Sequence, residues 1–124
     1  FRVGFFSAAD VRDWPSPAKI AICLVLHQVG IEEKARLLRE AWLTLAPGGE
    51  LYIADYGEQR GRLMRLLFRL TIQQLDGIHD TQPNADGVLP VLIKEAGFRD
   101  IRELEDFRTP TGAIGIIQAR KPDI

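Results

Sequence analysis

The sequence holds little of what several common chemistries require. Cys23 is its single cysteine, which removes intrachain disulfides, cysteine-rich zinc sites and thiol-redox pairs, and predicts a reducing, cytoplasmic setting. Its two histidines, His27 and His79, lack His-x-x-x-His spacing, and His79-Asp80 is at most a fragment of a metal site, so no metal is expected. Neither sign of charge dominates: sixteen basic residues face seventeen acidic ones. With no overall field to gather polyanions, nucleic acid is not an expected partner. No apolar run approaches the roughly 18 residues of a bilayer span, and no charged-then-apolar leader opens the chain. Gly-x-Ser-x-Gly and Gly-x-x-x-x-Gly-Lys are also absent, which leaves hydrolase and nucleoside-triphosphatase readings without support.

What is present is a globular composition, 46% hydrophobic and 27% charged over 124 residues. A chain of this size can bury about two-thirds of its surface without staples, and residues 1–124 read as one domain. Segments that read as strands alternate with helical ones, the pattern of an α/β unit. Val3–Phe6 and Ile20–Leu26 are continuously apolar, which predicts central strands covered on both faces. Glu32–Leu45 carries Ala35, Leu38, Ala41, Trp42 and Leu45 at helical steps, an amphipathic helix. It stops at Ala46-Pro47-Gly48-Gly49, before a strand over Glu50–Ala54. A second helix spans Gly61–Leu75, where Arg60, Arg62, Arg65 and Arg69 alternate with leucines. That pattern suits a sheet-covering helix with a solvated basic edge, a membrane-lying helix, a grip on an acidic substrate or a cover for an apolar partner. Asp76–Gly87 reads as a loop, Val88–Ala96 as a short helix ended by Gly97. Phe98–Phe107 and Gly112–Ala119 read as two strands of an antiparallel hairpin.

Several blocks in this order carry a resemblance: Ala9-Asp10-Val11-Arg12-Asp13-Trp14-Pro15, Leu24-Val25-Leu26-His27-Gln28, Leu37-Leu38-Arg39-Glu40-Ala41, Leu45-Ala46-Pro47-Gly48-Gly49-Glu50-Leu51, Tyr52-Ile53-Ala54-Asp55-Tyr56-Gly57, and Glu95-Ala96-Gly97-Phe98. Together with the tail Gly112–Pro122 they resemble the C-terminal part of a class I S-adenosylmethionine-dependent methyltransferase of the small-molecule type. The resemblance covers nearly the whole chain. It implies half of a Rossmann-like sheet, mostly parallel and ending in an antiparallel hairpin, with helices on both faces. It also implies methyl transfer from S-adenosylmethionine to a small-molecule acceptor. The sequence departs from the family in lacking the strand, the Gly-x-Gly-x-Gly-like loop and the acidic residue after the second strand, all of which cradle the cofactor.

On this resemblance Asp10 accepts a hydrogen bond from the adenine amino group and Val11 packs on the ring; capping of a turn is the other reading of Asp10. Cys23 and Leu24 fall where the family lines the methionine part of the cofactor; a buried, small apolar Cys23 is the other and simpler reading. His27 stands at the substrate mouth, as a proton acceptor or as a hydrogen-bonded structural histidine. Asp55 and Tyr56 end a strand at the edge of the ligand crevice, with substrate-side, turn-forming or solvated roles.

The family's missing first strand neighbours the one matching Ile20–Leu26, so an apolar sheet edge is left open and invites pairing. Either Val3–Phe6 shifts into the gap, or copies of the chain, or a complementing chain, associate through it. The alternative to an enzyme is therefore a non-catalytic methyltransferase-like fragment, truncated from a longer parent, that self-associates or completes a partner.

Overall fold

A computed structural model describes residues 7–123; the expected strand Val3–Phe6 lies outside them. A 3-10 turn at Ala8–Val11 leads to strand β1 (Lys19–Cys23), a second 3-10 turn at Leu26–Gln28, helix α1 (Ile31–Thr44) and strand β2 (Glu50–Tyr56). Helices α2 (Arg62–Leu70), α3 (Ile72–Asp76), α4 (Ile78–Ala85) and α5 (Val88–Glu95) follow, then strands β3 (Arg99–Thr109) and β4 (Gly112–Arg120). The sheet has the order β1-β2-β4-β3. β1 pairs parallel to β2, and β4 runs antiparallel to both β2 and β3. Pro110 and Thr111 make the tight turn of the hairpin.

The pleat sends alternate side chains to opposite faces. Leu51, Ile53 and Asp55 of β2 share one face with their β4 partners Ala119, Ile117 and Gly115. Against that face α1 brings Leu38 and Ala41, and α5 brings Leu89, Leu92 and Ile93, forming the main core with Leu26 and Phe98. On the opposite face Tyr56 and its partner Ile114 are covered by Phe68 of α2 and Ala85 of α4 in a second cluster.

α1 starts with Glu32 and Glu33 in its first turn, where carboxylates suit the positive end of the helix dipole. It ends where the Leu45 N–H bonds the Ala41 carbonyl, and the Pro-Gly-Gly turn then redirects the chain. Gly48 takes φ +78°, and a Cβ on Gly49 would lie 2.8 Å from the Ala46 oxygen and 3.1 Å from the Ala18 oxygen. That close approach lets the Glu50 N–H reach the Ala18 carbonyl and start β2 beside β1.

Three expectations need correction. β1 is shorter than Ile20–Leu26 and is not covered on both faces. Ile20 and Ile22 pack against the core, while Lys19, Ala21 and Cys23 are exposed, so Cys23 is not a buried core residue. Among the described residues β1 is an edge strand with no neighbour beyond it. The helix expected over Gly61–Leu75 breaks at Thr71, whose hydroxyl bonds the Leu67 and Thr111 carbonyls. The stretch Asp76–Gly87 contains a helix, with Pro83 inside it. Gly77 at φ +90° precedes α4, the Thr81 hydroxyl bonds the Gly77 carbonyl, and buried Asn84 donates to the Tyr56 carbonyl at 2.7 Å. These tertiary anchors overcome a composition that favours turns.

Gly97 ends α5 at φ +113°, where an added Cβ would meet the Trp42 indole nitrogen at 3.0 Å. Gly97→Ala is therefore expected to cost about 2 kcal/mol, read from urea denaturation. An unchanged midpoint would show that the indole yields.

Candidate functional site

Two neighbouring features sit around the end of β1: an open apolar groove and a buried polar cluster. The groove encloses about 900 Å³ between β1, α1 and the 8–17 segment. Val11, Ala21, Cys23, Val25 and Leu37 are among its lining. The 3-10 turn that supplies Val11 is held against α1 by the Ala8 N–H, which donates to Glu40 Oε2 at 2.8 Å. Leu24, directly after β1, is forced to φ +55°, a conformation that side chains with a Cβ seldom adopt. Its N–H still bonds the Ala54 carbonyl at 2.8 Å, so the strand pairing holds the strained residue in place.

The polar cluster is built on Asp55, which the pleat turns to the core face at the carboxyl end of β2. Its carboxylate accepts the N–H groups of Leu26 at 2.8 Å, His27 at 3.3 Å and Tyr56 at 2.7 Å, and His27 Nδ1 at 2.7 Å. These bonds knit the turn after β1 to the end of β2. His27, only 3% exposed, also sets Nε2 at 3.2 Å from Asp76 Oδ2 and packs edge-on against the Tyr56 ring. An imidazolium donates to both carboxylates; a neutral ring donates to one. Tyr56 in turn bonds Thr111 through its hydroxyl.

Beneath this cluster Lys34 of α1 is fully buried. Its ammonium donates to the Val29 carbonyl at 2.8 Å and to the Asp80 carbonyl. Burial pushes the amine below the ordinary lysine range, against the pull of Asp80 and Asp55.

The structure thus brings Val11 and Cys23 into one groove and His27, Asp55 and Tyr56 into one cluster. Asp10 lies beside the groove with its carboxylate accepting the Ser7 N–H, the reciprocal half of a capping box. Leu24 stands at the junction of the two features. Asp76, Lys34 and Asn84 were not among the expected site residues. Lys34 was findable, because it shares the α1 stripe with Leu38 and Ala41. Asp76 and Asn84 were hidden in a segment whose composition reads as a loop.

No family model and no curated protein sequence matches the chain. Solved structures do. An O-methyltransferase family protein from Burkholderia thailandensis superposes with a TM-score of 0.65 at 12% identity, over 98% of this chain and 35% of its own. Human N-acetylserotonin methyltransferase, in complex with S-adenosylmethionine, gives 0.59 at 23% identity over 87% of this chain and 30% of its own. The fold is that of the S-adenosylmethionine-dependent methyltransferases. A Haemonchus contortus phosphoethanolamine N-methyltransferase, bound to phosphomonomethylethanolamine and S-adenosylhomocysteine, shares it at 0.56 and 14% identity, over 85% of this chain and 33% of its own. The chain therefore spans about a third of the length of these methyltransferases.

Proposed function

We propose that the chain forms part of an enzyme that transfers a methyl group from S-adenosylmethionine to a small-molecule acceptor. The observation that carries this reading is the groove at β1, where residues from two separate segments, Val11 and Cys23, form one wall of a methyltransferase fold. Open α/β sheets take ligands at the carboxyl ends of their parallel strands, and Cys23, the last residue of β1, lines this groove. The residues present fit the cofactor in part. Apolar walls suit the adenine ring on Val11, and the Asp10 carboxylate stands close enough in sequence to meet its amino group. In this reading Cys23 and the backbone at Leu24 meet the methionine portion. The Gly-x-Gly-x-Gly-like loop has no counterpart in this sequence.

When bound, S-adenosylmethionine supplies an electrophilic methyl carbon. The chain's own contribution is then placement, because holding the acceptor in line accounts for much of the rate. His27 has both ring nitrogens against carboxylates, so its role in this reading is to fix the rim with Asp55 and Tyr56 on the substrate side rather than to take a substrate proton.

Calorimetric titration with S-adenosylhomocysteine tests the reading. Micromolar binding, weakened at least tenfold by Cys23→Trp, is the expected result. No heat from folded protein would overturn cofactor binding by this chain.

That outcome would favour the second reading, a non-catalytic module that associates through the open edge of β1. The unpaired edge among the described residues and the exposed Ala21 and Cys23 support it. A dimer mass in sedimentation equilibrium that Ala21→Lys abolishes is its expected signature.

A further inference from the structure

A further exposed apolar surface lies on α2. Met64 and Phe68 are buried and anchor the helix to the sheet. On the outward side Leu63, Leu66 and Leu70 are 57%, 51% and 61% exposed. They recur at i, i+3 and i+7, and so do Arg62, Arg65 and Arg69. At 100° per residue the two sets make adjacent stripes, with Arg62 and Leu66 side by side at the crest, away from the buried face. Beyond the break at Thr71, Leu75 and Ile78 are also 81% and 50% exposed. Arg65 reaches Asp86 at 3.7 Å, whereas Arg62 and Arg69 have no ion-pair partner among the described residues.

We propose that α2 docks on an anionic lipid surface, its leucines entering the acyl boundary and its arginines meeting the headgroups. Exposed leucines side by side with arginines are the composition of helices that lie in a bilayer interface. A convex ridge suits a fluid surface, whereas a small ligand needs a concave one. Nucleic acid would engage the arginines and leave the leucines in water. The chain's near-zero net charge does not oppose the contact, because attraction at a membrane acts within a Debye length of the surface. No helix among the described residues is long and apolar enough to cross a bilayer; the contact proposed lies in the interface plane. It is independent of cofactor binding.

Vesicle co-sedimentation of the whole chain tests it, comparing phosphatidylcholine mixed with phosphatidylglycerol against phosphatidylcholine alone. Binding is expected to the anionic vesicles only and to fall as salt is raised. Each arginine near an anionic surface strengthens partitioning about fivefold, so Arg62→Gln with Arg69→Gln should weaken it about 25-fold. Leu66→Ser with Leu70→Ser should weaken it at least as much. All four positions are exposed, and an unchanged thermal melt confirms that the variants fold. Equal binding to neutral vesicles, no binding, or binding untouched by the arginine pair would overturn the proposal. So would a self-associated mass that the leucine variant converts to monomer, which would assign the ridge to a second copy.

Discussion

Asp55→Ala is expected to lower stability by about 4 kcal/mol, the largest effect of any single polar substitution in this chain. The carboxylate is 1% exposed, and alanine would leave the Leu26 and Tyr56 N–H groups and the His27 ring without their acceptor. Buried donors without partners cost about 1–3 kcal/mol each, and the turn after β1 would lose its tie to β2. Thermal unfolding should fall by roughly 15 °C for a domain of this size. Asp55→Asn should cost less, because the amide oxygen still accepts the two donors on its side, although the NH2 is set against the other two. Asp76→Ala, at the more exposed end of the same network, should cost only about 1 kcal/mol. A melt of Asp55→Ala within 2–3 °C of the parent, about the shift that 0.5 kcal/mol gives, would show that the cluster does not hold the two strand ends together.

The elements of this fold were legible where one physical cause dominates. Ala35, Leu38, Ala41 and Trp42 recur at helical steps, and α1 forms within one residue of the expected ends. Pro47-Gly48-Gly49 can only turn, and β2 begins directly after it. The hairpin likewise turns within the link Arg108-Thr109-Pro110-Thr111 between the two expected strands, with β3 running on to Thr109. The reading failed where distant contacts decide. Nothing local to residues 78–85 shows that Asn84 will donate to Tyr56 or that the Asp80 carbonyl will meet Lys34, yet those contacts order α4. The apolar run Ile20–Leu26 shows what β1 can bury, not what stands beside it, so its exposure was foreseen only through the missing strand.

The candidate site divides in the same way. Asp55, Tyr56 and His27 were singled out by position at strand ends, and the structure joins them. The partner that engages the second nitrogen of His27, Asp76, could not be seen, because it lies beyond β2 and α2 in the chain, at the start of a stretch whose composition reads as a loop. The groove needs Val11 and Cys23 together, a pairing set by the fold and not by spacing.

Lys34 supplies the second large effect. Its side chain is fully buried and its nitrogen holds the Val29 and Asp80 carbonyls. Lys34→Ala would remove three methylenes and the ammonium and orphan both oxygens, at an expected cost of about 3 kcal/mol. Lys34→Met would keep most of the volume, shed the buried charge and lose only the hydrogen bonds, so about 1 kcal/mol is expected. The two variants also isolate a pH effect whose sign follows from burial. Desolvation lowers the folded-state pKa of Lys34 below the unfolded value of 10.5. Below the folded pKa both states carry the proton, and the native state bears the cost of a buried ammonium. As pH rises through the folded pKa the native state releases its proton while the unfolded chain retains it, so stability rises until 10.5 is passed. The neutral amine keeps two N–H donors, one for each carbonyl. Urea denaturation across the alkaline range should therefore show the parent gaining stability relative to Lys34→Met over that window. A constant difference between the two would mean that Lys34 keeps its proton in the folded chain as readily as in water, and that α4 is held to α1 by an ammonium that solvent reaches.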